Sequence, residues 1–161
     1  MSEYYEELRS KYICYECIGE AYLQNEVLKK GEHKLCLYCN TPRNACLISA
    51  MARRIDVVFN EHFRQTNELK SGSECDGIPI IQAIANTAGL THAAAQDIQT
   101  ILAADNLRFY TPAIDGEAPF SRNSYYKKKG PSDQMWQDKW KEFELNLKEE
   151  SRFFSRFAAE Y

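Results

Sequence analysis

The chain has 161 residues, a net charge of −3, an apolar content of 44% and a charged content of 27%. These values suit one globular domain with a hydrophobic core, or a small module attached to a larger helical one. The negative charge and the isoelectric point near 5.7 argue against a dedicated polyanion-binding protein, because such proteins usually carry a basic excess.

The start of the chain predicts neither export nor membrane insertion. Residues 1–7 have neither the basic region nor the apolar run of a secretory signal. No run of eighteen apolar residues follows, so no membrane-spanning segment is predicted. Without export, six cysteines point to metal binding in a reducing compartment, and the cytoplasm is the expected location. A short helix is expected over residues 2–12, with Ser2 as its cap.

Two C-x2-C pairs organise the N-terminal region: Cys14 with Cys17, and Cys36 with Cys39, with eighteen residues between the pairs. This spacing is typical of tetrahedral zinc sites, in which both thiolates of a pair reach one ion at about 2.3 Å. Four thiolates leave no coordination position for water, so one structural Zn²⁺ is the predicted cofactor. Disulfides and a metal-free thiol cluster are the alternatives.

The residues near the pairs refine this prediction. Gly19 and Asn40 lie where the chain must turn back toward the metal, and both residue types tolerate a positive φ. His33 is close enough in sequence to replace one ligand, although beside four thiolates it is expected to be a bystander. Cys46 is expected to be a small core residue. Cys75 lies between two acidic residues, which oppose activation of its thiol.

Helical periodicity dominates the next part of the chain. A helix is predicted over residues 19–30, ended by Gly31. A longer helix is predicted to start directly after the second cysteine pair, with Thr41 as N-cap and Pro42 in the first helical position. Its apolar residues recur at intervals of three and four as far as Phe63.

Residues 65–77 are polar and are expected to form a loop. Helices are then predicted over residues 79–88, stopped by Gly89, and from the Thr91 cap to about residue 105. Residues 106–131 contain several prolines and glycines and are expected to be mostly irregular.

A last helix is predicted from Ser132 to the end of the chain, with an aromatic stripe along one face. The stripe supplies the predicted interface residues Trp136, Trp140, Phe143, Phe154 and Phe157. Weaker candidates, for contact with an anion, are Lys127, Lys128, Lys129, Arg152 and Arg156. Because no helix cap closes the stripe, the chain is expected to be the N-terminal piece of a longer protein.

Residues 77–104 imitate a DNA-binding helix-turn-helix. The would-be recognition helix has no Lys or Arg and contains Asp97 and Asp105, whereas phosphate contacts need positive charge. Nucleic acid is therefore disfavoured as a partner, although a nucleic-acid-binding zinc knuckle is kept as an alternative. The favoured partners are another protein, the chain's own C-terminal domain, or a second copy of the chain.

The order of these features resembles the HEPN/RES N-terminal domain, a zinc-bearing helical region found ahead of the RES domain in bacterial proteins. The matching residues are Cys14-x-x-Cys17-Ile18-Gly19-Glu20-x-Tyr22-Leu23, Gly31, Cys36-x-Tyr38-Cys39, Gly89-Leu90, Asp97-Ile98 and Arg152-Phe153-Phe154, with a long helix between the second cysteine pair and Gly89. The resemblance implies a following NAD-consuming, ADP-ribosyltransferase-like RES domain and a role in toxin-antitoxin or phage-defence systems. HEPN ribonucleases use an Arg followed by four to six residues and a His. Here seven residues separate Arg54 from His62, so ribonuclease activity is only an alternative.

Together, these observations predict a mainly α protein, in which an N-terminal four-cysteine zinc-knuckle module resembling a zinc ribbon joins a helical bundle. The module would span residues 1–41 and the bundle residues 42–161, packed as one compact unit. No catalytic residues are assigned. The predicted function is that of a zinc-binding recognition or regulatory module without catalytic activity.

Overall fold

The computed structural model describes residues 2–66, 77–108, 110, 118–130 and 140–141. In this part of the chain the fold is mixed α/β, with two three-stranded antiparallel sheets beside the helices. The prediction of a mainly α bundle is therefore wrong. The chain divides into two compact units, one over residues 1–128 and one over residues 129–161.

The elements follow one another in a mixed order, and a single 3-10 turn lies between the first two cysteines of the chain. Their bounds are α1 Ser2–Arg9, β1 Tyr12–Cys14, the 3-10 helix Tyr15–Cys17, α2 Ala21–Lys30, β2 Glu32–Leu35, β3 Pro42–Leu47, α3 Ile48–His62, β4 Phe63–Thr66, β5 Ile78–Pro79, α4 Ile80–Ala88, α5 His92–Leu107 and β6 Tyr125–Lys128.

The first sheet has the strand order β1-β3-β2, so β3 is its central strand. Tyr12 of β1 is opposite Leu47, and Glu32 of β2 is opposite Ala45. The predicted helix start at Thr41 and Pro42 is wrong, because residues 42–47 form this strand and α3 begins only at Ile48. Proline is compatible with the first residue of a strand, and pairing on both sides of β3 outweighs the local helix signal.

The helices are predicted well where their periodic residues are buried. The inward face of α3 includes Met51, Ile55 and Phe59, each at most 2% exposed. α3 packs against both α4 and α5. Phe59 also stacks on Phe63 with ring centroids 4.4 Å apart and contacts Phe120. This cluster connects the helices to the second sheet, which begins at Phe63.

The second sheet has the order β4-β6-β5 and was not predicted. In it, β6 pairs with β4 through Phe63 and Lys128, and with β5 through Ile78 and Tyr126. Both partner strands are distant from β6 in the sequence. The prediction that residues 106–131 are mostly irregular missed β6, because a pairing of this kind leaves no local pattern.

Two glycines join the first cysteine pair to the turn between α4 and α5. Gly89 ends α4 in the left-handed conformation with φ 61°, which confirms its predicted role as the helix stop. The amide of Gly19 donates to the Gly89 carbonyl at 2.9 Å. Positive φ in the knuckles was expected at Gly19 and Asn40 but occurs, of these two, only at Asn40 (φ 53°). A glycine is instead required at position 19 because its backbone lies close to that of Gly89. A Cβ on residue 19 would lie 3.0 Å from the Gly89 oxygen.

The C-terminal predictions fall mainly on residues that the structure does not describe. Trp136, Phe143, Arg152, Phe154, Arg156 and Phe157 of the predicted last helix, together with Cys75, lie outside the described residues. Trp140 is described, is helical and is 63% exposed. Among the helices that are described, none combines the length and apolar character needed to cross a membrane.

The glycine junction generates a stability prediction. Gly89→Ala should lower the free energy of unfolding by at least about 2 kcal/mol, because the left-handed backbone alone disfavours a Cβ by about 1–2 kcal/mol. That Cβ would also lie 2.5 Å from the Gly19 Cα, an impossible distance without movement. Urea unfolding measures the change.

Gly130→Ala is the control for Gly89→Ala. A Cβ at Gly130 would meet no atom within 4 Å, so the substitution should change stability by less than about 0.5 kcal/mol. Equal effects at the two glycines would contradict the importance of the Gly19–Gly89 contact.

Candidate metal centre

Strand pairing brings the two cysteine pairs together. Cys14 is the last residue of β1, and Cys17 ends the 3-10 helix that follows. Cys36 and Cys39 lie in the connection between β2 and β3. Because β3 pairs with β1 on one side and with β2 on the other, both cysteine-bearing turns lie at the same end of the sheet.

The sulfur atoms of the four predicted ligands all lie within 4.8 Å of one another. The Cys14 Sγ lies 3.7 Å from that of Cys17 and 3.6 Å from that of Cys39, and the Cys17 and Cys36 sulfurs are 3.8 Å apart. A tetrahedron with metal–sulfur bonds of about 2.3 Å has edges of about 3.8 Å. A disulfide needs about 2.05 Å, so these cysteines are free thiols here.

Backbone hydrogen bonds hold the second pair in place. The amide of Cys36 donates to the Thr41 carbonyl at 3.0 Å, and the Thr41 hydroxyl donates to the Cys39 carbonyl at 3.1 Å. Asn40 completes this turn with its positive φ. The Cys14 amide donates to the Cys36 sulfur at 3.3 Å, which is the kind of contact that stabilises a thiolate. The sulfurs are therefore positioned by main-chain geometry.

Burial disfavours negative charge at Cys14 and Cys17. Cys14 and Cys36 are completely buried, whereas Cys39 is exposed. Burial raises the pKa of the Cys14 thiol and, more strongly, that of Cys17. For Cys39 the burial effect is outweighed by hydrogen bonds from Cys14 and Thr41, which lower its pKa to about 7. A bound cation is what allows several closely spaced, buried sulfurs to be thiolates together.

The donor set therefore fits a soft metal ion, and His33 does not belong to it. His33 lies on β2, all four residues of which are exposed. Within the described residues, the cluster of potential ligands around these cysteines contains sulfur atoms only. Cys46 is a separate, half-buried thiol whose pKa is raised by burial to about 11, consistent with an inert packing residue.

A polar contact that the sequence analysis missed fixes the centre to α5. Tyr38, between the second pair of cysteines, donates its hydroxyl to Asp97 Oδ2 at 2.8 Å. Lys11 reaches the same oxygen at 2.8 Å. Burial first, and then the Asp97 carboxylate, raise the pKa of the Tyr38 hydroxyl, so it remains a hydrogen-bond donor. Asp97 thus connects α5 to the second cysteine-bearing turn, through Tyr38, and to the residue that precedes β1, through Lys11.

The acidic residues of α5 have structural partners. Arg9 of α1 binds both carboxylate oxygens of Asp105, at 2.7 and 3.0 Å. Six residues of α5 are buried, including Ala95, Ile98 and Leu102. Because these residues contact the core and both aspartates bind partners within the chain, α5 is a core helix, and it lacks the exposed basic face of a recognition helix.

The remaining sequence candidates lie away from the sulfur cluster in the chain. Lys127 and Lys128 are exposed on β6, and Lys129 follows them. Arg54 and His62 lie on α3, where Arg54 pairs with Glu26 and His62 is exposed near Glu61. The structure therefore gives Arg54 a structural partner.

Comparisons with protein-family models, with curated proteins and with solved structures found no match to this chain. The resemblance to the HEPN/RES N-terminal domain therefore stays a prediction.

The Tyr38–Asp97 contact generates a second prediction. Tyr38→Phe should lower the free energy of unfolding by about 1.5 kcal/mol, because it removes a half-buried hydrogen bond to a charged group. Bound metal should stay stoichiometric, since the hydroxyl does not contact a sulfur. Urea unfolding and metal analysis of the same sample measure both quantities.

Tyr15→Phe is the matched control, in the other cysteine-bearing turn. Among the described residues, the Tyr15 hydroxyl makes only an exposed 3.5 Å contact, with Glu16, so its loss should change stability by less than about 0.5 kcal/mol. If the two Phe variants unfolded alike, the Tyr38–Asp97 bond would not be a significant link.

Proposed function

We propose that this chain binds one Zn²⁺ through Cys14, Cys17, Cys36 and Cys39, and that it serves as a non-catalytic binding module. The observation that supports the proposal is the close approach of the four sulfurs, all of which lie within 4.8 Å of one another. Three of their six separations are 3.6–3.8 Å, which match the edges of a tetrathiolate tetrahedron. Zinc is the favoured ion because tetrahedral sets of four thiolates select zinc or iron over hard cations.

A structural role follows from the same donor set. Four protein ligands close the coordination sphere, whereas catalytic zinc sites keep a position open for water or substrate. Structural zinc binding has an apparent free energy on the order of 10–16 kcal/mol, comparable with the total stability of a domain. The ion would hold β1 and the β2–β3 connection together, and Tyr38 would extend that constraint to α5.

The biological setting is part of the proposal. Free thiols suit a reducing compartment, which favours the cytoplasm. The module would present a surface to another protein, to a C-terminal domain of the same polypeptide or to a second copy. If the HEPN/RES resemblance is correct, the catalytic RES domain lies outside this chain, and the isolated chain turns over neither NAD nor RNA. The order of the sequence motifs is the support for this link to RES-domain proteins.

Metal content tests the proposal. The purified chain should contain one zinc ion per molecule by elemental analysis. The Cys39→Ser variant should lose most of the bound zinc, because a hydroxyl is a poor ligand for zinc. Its thermal unfolding midpoint should therefore fall sharply. Cys39 is the best choice because it is exposed, so the substitution itself removes little packing.

Cys46→Ser provides the control, since this thiol lies outside the cluster and should leave the zinc content unchanged. If the analysis finds stoichiometric iron, and the protein has the colour of an iron–thiolate site, the bound ion is iron instead of zinc and the proposed structural role is unchanged. Protein that is folded and metal-free, with Cys39→Ser as stable as the parent, would overturn the proposal.

A second candidate function, binding of single-stranded nucleic acid, is favoured by one specific observation. The register of the second sheet places Arg64 directly opposite Lys127, and both are exposed. Two cationic side chains side by side on an exposed face of a sheet attract phosphate groups. Lys128 and Lys129 extend the positive segment along the chain.

This candidate predicts oligonucleotide binding that weakens steeply with salt. Lys127→Ala combined with Lys128→Ala should reduce the slope of log affinity against log salt by about 1–2, in a fluorescence anisotropy titration. Lys29→Ala and Lys30→Ala on α2 form the control pair. Binding that is undetectable, or insensitive to the β6 substitutions, would exclude this candidate.

A further inference from the structure

An open groove of about 720 Å³ lies where the start of α2, the middle of α3 and the end of α4 meet. Its apolar lining includes Leu23, Ile55, Val58 and Ala88. Two further apolar residues at its edge remain largely exposed: Tyr22 at 72% and Val57 at 55%. Exposed aromatic and aliphatic side chains beside a concave surface are typical of protein-binding sites.

The uncompensated charge at the groove is positive. Arg54 is paired with the Glu26 carboxylate. Glu20 accepts hydrogen bonds from the amides of Tyr22 and Leu23, so its charge is balanced by the N-terminus of α2. Arg53, the remaining charged residue of the groove, forms no salt bridge within the described part of the chain.

Arg53 is exposed, and its Nε makes a long 3.5 Å contact with the Ser49 carbonyl of its own helix. Among the described residues, no carboxylate forms a salt bridge with its guanidinium group. A ligand with an anionic group beside an apolar surface would therefore complement this groove in both charge and hydrophobicity.

We propose that this groove binds an amphipathic helical segment of a partner protein, with an acidic residue paired to Arg53 and an apolar residue packed beside Val57. Arg53 and Val57 lie one turn apart on the same face of α3, about 6 Å along the helix axis. A partner helix presents side chains at this separation when they are three or four residues apart. The partner motif is thus an Asp or Glu three or four positions from a large apolar residue.

The openness of the groove favours a peptide over a small molecule. Small-molecule sites usually enclose most of the ligand, whereas Tyr22 and Val57 lie at an exposed edge that only a larger partner would cover. Aromatic residues such as Tyr22 also contribute strongly to protein interfaces.

This inference rests on the proposed role as a binding module and adds the site and the partner chemistry. The zinc centre and the groove are directly connected, because α2 begins only four residues after Cys17. Gly19 and Glu20 also donate their amides to the Ala88 carbonyl, which fixes the start of α2 against the end of α4. The metal centre therefore helps set the width of the groove.

A displayed library of amphipathic helices tests the proposal. Each member carries random large apolar residues on one face, with Glu or Lys at each flanking position three and four residues away. Selection on the zinc-loaded chain should enrich Glu over Lys at those positions. One selected peptide, labelled for fluorescence anisotropy, should bind at least about tenfold more weakly to Arg53→Glu and to Val57→Asp.

A repeated selection on Arg53→Glu gives the sharpest readout, since the enriched flanking residue should change from Glu to Lys. Lys29→Glu, an exposed charge reversal on α2, and Leu107→Asp, at a site 53% exposed on α5, are the matched controls and should leave affinity unchanged. The zinc content and unfolding midpoint of every variant are measured on the same preparation.

Each other outcome has a definite meaning. A zinc-loaded, folded chain that enriches no peptide, or one whose peptide ignores Arg53→Glu, overturns the groove proposal and leaves the zinc proposal intact. Binding lost in Leu107→Asp and kept in Val57→Asp assigns the partner surface to α5 and also overturns it. A titration with the fatty acid decanoate covers the small-molecule alternative. Decanoate binding that requires Arg53, when no peptide is enriched, would also overturn the proposal, because the groove would then be a small-molecule site. A metal-free parent instead contradicts the proposed zinc function.

Discussion

The pairing of β3 with strands on both sides is the constraint on which the rest of this structure depends. β1 ends in Cys14, and β2 leads into Cys36, so only a common neighbour brings these cysteines to one place. Once they are together, four sulfurs share a volume in which burial raises the pKa of Cys14 and Cys17. A soft cation bound there would resolve that conflict, since it would stabilise the thiolates that burial alone disfavours.

The same arrangement explains why α5 contains acidic residues. Asp97 accepts hydrogen bonds from Lys11 and Tyr38, and Asp105 is bound by Arg9. These contacts use charge to orient the N-terminal segment against α5, at positions where an apolar contact would give less directional restraint. The residues that argue against nucleic-acid recognition in the sequence are thus part of the scaffold around the four-cysteine cluster.

The sequence predicts the features that depend on short-range chemistry. The C-x2-C spacing is enough to predict the sulfur cluster, because each pair must approach one point. Gly89 and Thr91 are recognised as a stop and a cap because their backbone and side-chain preferences are local. The periodic residues of α3 identify its buried face for the same reason.

The features that were missed depend on distant partners. Pro42 suits the start of a helix as well as the start of a strand, and only β1 and β2 decide between them. β6 acquires its structure from β4 and β5, which lie far back in the chain. Asp97 is an unremarkable helical carboxylate until the fold brings Tyr38 to it. Gly19 likewise gains its role from Gly89.

The Tyr38–Asp97 bond also has a consequence for the order in which the chain assembles. Its two residues are 59 positions apart, whereas Cys14 and Cys39 are separated by only 25. Closing the shorter loop costs less chain entropy, and all four cysteines leave the ribosome before α5 has been synthesised. The sulfur-bearing end of the sheet can therefore form before α5 docks on it. The Tyr38 hydroxyl is then already in place to donate its hydrogen bond to the Asp97 carboxylate.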